Sequence, residues 1–256
     1  MNQDKDTDTL KVAIWRGKDR KTGRLHNYTL ERRANQTVLD IVVAIQREQE
    51  QSLAYRYACR VGVCGSCAMT VNGVPRWTCR THVQRVINDA DDGVITIEPL
   101  RHLPVIKDLA CDMEPFFQKW QTSGGRFQGE RSRHDPLPAI TPDSPGRKEA
   151  NEAIECINCA VCYSACDVVG WNKDYTGPAA LNRVWTLLND SRQSERGELL
   201  EKAFAEGGCS ICHSHGNCTR HCPVELNPSQ SIAGLKKAGL FGLPDTGADT
   251  GTGTST

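Results

Sequence analysis

Cys59-Arg60-Val61-Gly62-Val63-Cys64-Gly65-Ser66-Cys67, then eleven residues, then Cys79, is the stretch on which the reading of this chain turns. Its C-x4-C-x2-C…C spacing matches the plant-type pattern for a [2Fe-2S] cluster. Gly62 and Gly65 suit a loop that must turn tightly and aim backbone N–H groups at sulfur. A structural zinc site draws instead on paired C-x2-C knuckles, which the four residues between Cys59 and Cys64 fit badly.

Outward from this loop, the first hundred residues read as a small sheet with one helix. Lys11-Val12-Ala13-Ile14-Trp15 and Leu25-His26-Asn27-Tyr28-Thr29-Leu30 alternate apolar with polar residues around a turn-forming segment, which predicts a hairpin. Val38, Leu39, Ile41, Val42 and Ile45 recur at helical spacing after Thr37-x-x-Asp40, a capping-box start. Two more strands are expected at 68–71, turned by Asn72-Gly73, and at 94–97. This order predicts a β-grasp, ferredoxin-like domain over residues 1–120.

Farther along, Cys156-x2-Cys159-x2-Cys162-x3-Cys166 is the run that in dicluster ferredoxins gives three ligands to one cluster and its fourth to the neighbour. Cys212-x2-His215-x2-Cys218-x3-Cys222-Pro223 repeats the same steps with His in second place. By the crossing rule, Cys156, Cys159, Cys162 and Cys222 bind one [4Fe-4S] cubane, and the other site receives Cys166, Cys212 and Cys218. Three thiolates suit a [3Fe-4S] cluster, with residue 215 at the missing corner. The spacing leaves open whether His215 leaves that corner empty or ligates a fourth iron. Cys209 lies three residues before Cys212, so a register that uses it is conceivable, whereas Cys111 reads as a small buried hydrophobe.

Segments 147–155, 181–189 and 197–206 look helical, which makes the second domain, over 147–240, mostly α. The Gly-, Pro- and Arg-rich residues between the domains have little to bury and read as a linker or surface crossing at 121–146. The Gly-, Thr- and Asp-rich end, 241–256, is expected to be a flexible tail. The fold class is therefore α+β, a β-grasp [2Fe-2S] domain followed by an α-helical dicluster domain.

Of the 256 residues, 31 are Lys or Arg and 31 Asp or Glu, so no net field draws the chain to nucleic acid. The longest strictly apolar run, Ile41 to Ile45, is far short of the roughly 20 residues of a spanning helix. The opening Met1-Asn2-Gln3-Asp4-Lys5-Asp6 has neither a secretory nor a transit character, so a cytoplasmic location is expected. Thirteen cysteines in a reducing compartment point to metal or redox chemistry rather than disulfides.

From about Lys11 to Lys237 the chain resembles the iron-sulfur subunit of succinate dehydrogenase and fumarate reductase, respiratory complex II. The likeness rests on the Cys59–Cys67 stretch, Pro99-Leu100-Arg101-x-Leu103-Pro104-Val105-Ile106-Lys107-Asp108-Leu109, Glu155-Cys156-Ile157-Asn158-Cys159, Gly177-Pro178-Ala179, Asp190-Ser191-Arg192 and Asn217-Cys218-x3-Cys222-Pro223. It implies an electron-transfer subunit between the FAD of a flavoprotein partner and a membrane quinone at the interface with one or more anchor subunits. It further implies a place on the cytoplasmic side of the bacterial inner membrane, peripheral through the anchor. Trp171 and His213 match residues that border the quinone pocket. Asp167 stands where the family usually has Pro, and His215 where it more often has a non-ligating residue. Other membrane oxidoreductases of the glycolate oxidase or heterodisulfide reductase type pair two full cysteine runs. His215 and the β-grasp domain speak against that reading, and the cluster spacing speaks against a zinc-stapled binding module.

Overall fold

The computed structural model describes residues 9–138, 140–244 and 246, with the side chain of Glu152 left aside. Strands β1 (Thr9–Arg16) and β2 (Arg24–Glu31) form the expected antiparallel hairpin, with Leu10 opposite Leu30. Strand β3 (Ala68–Val71) turns at Asn72-Gly73 into β4 (Val74–Trp77), a strand the sequence reading missed because Pro75 and Arg76 break its alternation. Strand β5 (Val94–Glu98) then runs parallel to β1 and antiparallel to β3, so the sheet order is β2-β1-β5-β3-β4. Helix α1 (Val38–Glu48) closes one face, burying Val38, Ile41, Val42 and Ile45 against Val12, Ile14, Met69, Val71, Ile95 and Ile97. Each such side chain removed from water stabilises the domain by about 1.5–3 kcal/mol. The capping box is present: the Asp40 N–H donates to Thr37 Oγ1 at 3.2 Å, and the Thr37 N–H donates to Asp40 Oδ2 at 2.9 Å.

A short helix α2 (Val83–Val86) precedes β5, and a small ladder of β6 (Val105–Lys107) with β7 (Ala110–Cys111) follows it, leading into α3 (Glu114–Thr122). This stretch lies between two cores. Leu109 packs with the sheet, whereas Leu100, Leu103, Cys111 and Phe116 pack into the helical core.

That second core is built around α7 (Pro178–Leu188), whose residues are nearly all buried, against α4 (Pro145–Ala150), α8 (Arg196–Phe204) and α10 (Pro228–Phe241). Helix α7 begins a turn before the expected Leu181, because Pro178 sets the helical φ at the first position. Helix α4 gives way to a tighter turn at Asn151–Ala153, short of the expected 155. The one-turn helices α5 (Val161–Ser164), α6 (Asp167–Trp171) and α9 (Asn217–Arg220) are too short for periodicity to reveal. Helix α10 is capped by the Asn227 side chain, which accepts from the Gln230 N–H. It continues past Gly239, because a Cβ there would stand 2.1 Å from the Phe204 ring, and this breaker residue is what allows the contact.

Between Thr122 and Ser144 there is no regular element among the described residues. The crossing is nonetheless tied to the helical core: the Gln128 N–H donates to Gln193 Oε1 at 3.0 Å and Arg183 Nε to the Gly125 carbonyl at 3.1 Å. Of the expected tail, Phe241 ends α10 and Thr246 is buried beside Gly146, while 245 and 247–256 lie outside the described residues.

One buried carboxylate joins the parts that carry the cysteine loop. Asp108 accepts from the Gly17 N–H at 3.1 Å and the Ala54 N–H at 2.9 Å, and its Oδ1 lies 3.0 Å from Arg16 Nε. Asp108→Ala leaves Arg16 and two N–H groups without these partners, and is expected to destabilise the chain by ~3–5 kcal/mol. Denaturant unfolding of the full chain checks this. An unchanged midpoint would show that Asp108 is no such pin.

Candidate metal centres

Residues 59–67 form a cage of backbone N–H groups around sulfur. The Val61 and Val63 N–H groups donate to Cys59 Sγ, each at 3.4 Å, and the Cys59 N–H donates to Cys64 Sγ at 3.5 Å. From the far side, the Cys79 N–H donates to Cys67 Sγ at 3.5 Å. Left-handed backbone at Arg60, Gly62 and Gly65 produces the turns that aim these groups inward. The loop's donors act on the thiols unequally. The N–H groups of Val63 and Val61 pull the half-buried Cys59 thiol down to about 6, whereas burial, then the Cys67 side chain, pushes Cys79 up to about 12.

The loops 156–162 and 212–218 repeat one another in backbone as well as in spacing. Asn158 (φ 52°) and Ala160 (φ 59°) are left-handed, as are Ser214 (φ 58°) and Gly216 (φ 77°) at the same places. Helices α5 and α9 start at equivalent positions directly after them and pack together. His215 thus occupies in its loop the place that Cys159 has in the other.

The thiols of the two runs interleave. Burial pushes Cys162 up first, and the charges of Cys159, Cys156, Cys218 and Cys222 add to it. Cys159 is likewise pushed up to about 12 by burial, with Cys156 and Cys222 adding to it. Cys166 is raised by burial and then by Cys218 and Cys212, and these three line one cavity. The Cys218 thiol lies 3.3 Å from Ser229 Oγ. Cys209 is fully buried in the apolar core rather than on that cavity, and burial pushes its thiol up to about 11. Cys111 is buried too, beside the Leu100 carbonyl.

The three thiol groups stand in a row. A Cβ on Gly65 would lie 2.8 Å from both Cα and Cβ of Cys159, so the first loop touches the second only because that side chain is absent. All thirteen cysteines are free thiols. Soft thiols lined by N–H donors are the donor set that iron-sulfur clusters take.

At the end of the row, Trp171 is 60 % exposed and meets the edge of the His213 ring at a centroid distance of 5.4 Å. The His215 ring lies 5.9 Å beyond His213, and its Nδ1 is 3.7 Å from Asp167 Oδ2, which also accepts from Asn217 Nδ2 at 3.3 Å. Two residues escaped the sequence reading. Asp108 lies inside the family-like motif, but only the fold shows what it binds; Tyr175, wholly buried beside Cys212 and Cys166, left no signal beyond being aromatic.

Residues 9–118 match the model of a 2Fe-2S iron-sulfur cluster binding domain, and residues 152–226 that of a 4Fe-4S dicluster domain. The iron-sulfur subunit 1 of mitochondrial succinate dehydrogenase (ubiquinone) from Oryza sativa subsp. japonica is 35% identical over 204 residues, covering 79% of this chain and 71% of that protein. A chain in the apo-form Sdh1 complex of Mycobacterium smegmatis superposes with a TM-score of 0.80 at 28% identity, over 93% of this chain and 99% of that one. A hypothetical protein from Helicobacter pylori, 17% identical with a TM-score of 0.56 over 92% of this chain and 40% of its own, shares the fold. Two cluster-binding domains in one order, and an identity that extends along most of the rice subunit, make this chain a member of the succinate dehydrogenase iron-sulfur subunit family, the electron carrier of an oxidoreductase complex.

Proposed function

We propose that the chain passes electrons between the FAD of a flavoprotein subunit and a membrane quinone, in a succinate dehydrogenase or fumarate reductase. The single observation that carries this reading is the row of three thiol groups, joined by the Gly65–Cys159 contact at one step and by the Cys162–Cys218 neighbourhood at the next. Cys59, Cys64, Cys67 and Cys79 would hold the [2Fe-2S] cluster, Cys156, Cys159, Cys162 and Cys222 the [4Fe-4S] cluster, and Cys166, Cys212 and Cys218 the [3Fe-4S] cluster. When bound, the clusters supply one-electron carriers in series. Around them the chain excludes water, directs N–H groups at sulfur and sets the separations.

Exposed Trp171 and the adjoining His213 support a quinone-facing, anchor-facing surface at the third group. Among the described residues no helix is long and apolar enough to cross a membrane. Attachment is then peripheral, through an anchor subunit, on the cytoplasmic side of a bacterial inner membrane. His215 lines the same cavity as Cys166, Cys212 and Cys218 with its Nδ1 toward Asp167, and the cluster proposed there is a three-iron one, with His215 beside it and not a ligand.

Three measurements test these assignments. Cys64→Ala in the assembled complex is expected to abolish the rhombic reduced signal of the [2Fe-2S] cluster in electron paramagnetic resonance and to spare the distal signal. An unchanged spectrum would remove the first assignment.

In the metal-free chain, alkylation of Cys59 by iodoacetamide is expected to rise with pH around 6, where its thiolate forms, well before Cys79 reacts near 12. Mass spectrometry of the labelled peptides reads the order, and equal reactivity at pH 7 would contradict it.

The oxidised complex should show the near-isotropic signal of a three-iron cluster, which His215→Ala leaves in place. A histidine-ligated cubane gives the opposite result: silence in the wild type and the signal only after the substitution.

A further inference from the structure

Tyr175 is a large polar side chain of the helical core whose chemistry the preceding reading leaves unused. The residue has 0% exposure, and its hydroxyl has no hydrogen-bond partner among the described residues. It lines the cavity shared by Cys166, Cys212 and Cys218. Burial, and after it the neighbouring Cys212 and Cys166 side chains, hold its hydroxyl in the protonated form.

The backbone holds the ring there. The Tyr175 N–H donates to Asn172 Oδ1 at 3.2 Å, Lys119 Nζ donates to the Tyr175 carbonyl at 2.5 Å, and the next N–H, of Thr176, donates to the Gly207 carbonyl at 2.7 Å. A donor fixed on three sides and buried without an acceptor forfeits its solvation for nothing, unless the cavity supplies an acceptor. Of the other acceptors lining it, Asp167 takes a hydrogen bond from Asn217 and Ser229 is joined to Thr219 and Cys218, whereas the sulfurs of Cys212 and Cys166 are the groups set against the phenol.

We infer that Tyr175 donates its phenolic O–H to sulfur at the distal site, as a positioning residue that sets the reduction potential of the cluster held there. The inference rests on the assignment of Cys166, Cys212 and Cys218 as that cluster's ligands. A hydrogen bond to sulfur draws electron density from it and favours the reduced, more negative state, so the donor raises the potential. At the end of a relay, a higher potential draws electrons toward the exposed Trp171 surface.

The test is a redox titration of the assembled complex, followed by electron paramagnetic resonance at the distal signal. Tyr175→Phe keeps the ring and removes the O–H, so the reduction equilibrium is expected to weaken several-fold to about tenfold, tenfold being ~59 mV for one electron. Replacing Tyr175 with 3-fluorotyrosine keeps the shape and strengthens the donor, and should move the potential the other way. This second variant decides the matter if the Phe variant fails to load its cluster. Opposite shifts are a result that a merely structural role cannot produce. A distal three-iron signal present in the wild type, with its potential unmoved by the substitution, overturns the Tyr175 inference alone. Absence of that signal from the wild type overturns the [3Fe-4S] assignment at Cys166, Cys212 and Cys218, and the inference with it.

Discussion

The relay depends on a close approach that one missing side chain permits. At Gly65 the chain is left-handed (φ +69°), and its Cα abuts Cys159 and the Ile157 carbonyl; a Cβ would stand 2.8 Å from each. The loop of the sheet domain therefore meets the loop of the helical domain without an intervening side chain. Electron transfer between buried centres falls steeply with distance, so this contact matters to function as well as to packing. Holding two domains in register at one point requires restraint elsewhere, and residues 100–116 provide it by placing side chains in both cores. Asp108 sits within that strap and ties it to the end of β1 and to Ala54, just before the first cysteine loop.

Left-handed residues recur wherever thiols gather. Asn158, Ala160 and Ser214 have a Cβ and still adopt positive φ, at a cost of roughly 1–2 kcal/mol each. Backbone in this state turns successive N–H groups to one side, which makes a concave surface for anionic sulfur. Strain of this kind persists where surrounding structure over-determines it. Here helices α5 and α9 start directly after the strained residues and pack on each other, so each loop is held at its exit.

Burial and thiolate chemistry oppose each other across the three groups. Cys162, Cys159 and Cys79 are pushed up by desolvation, and their neighbours are further thiols whose charge would repel theirs. Without metal the cages favour neutral S–H, so loading them releases protons and couples assembly to folding. Cys59 is the exception, only partly buried and drawn down by two N–H donors.

The features legible in the sequence are local ones. Cysteine spacing, the apolar period of α1 and its Thr37–Asp40 box each depend on residues a few positions apart, whose geometry the chain imposes wherever it folds. The α+β class and the order of the two domains follow from those signals. Helix α10 had no counterpart in the helical segments read from the sequence, since Gly239 looks like a breaker until the Phe204 ring lies beneath it, and α5, α6 and α9 hold too few residues to show a period. Contacts between distant parts had no local trace. That Gly65 faces Cys159, that Asp108 accepts from residues 91 and 54 positions away, that His215 turns to Asp167, and that the Tyr175 hydroxyl opens on Cys212 were decided by the tertiary structure alone, since each arises where separate elements pack and not from the spacing within any of them.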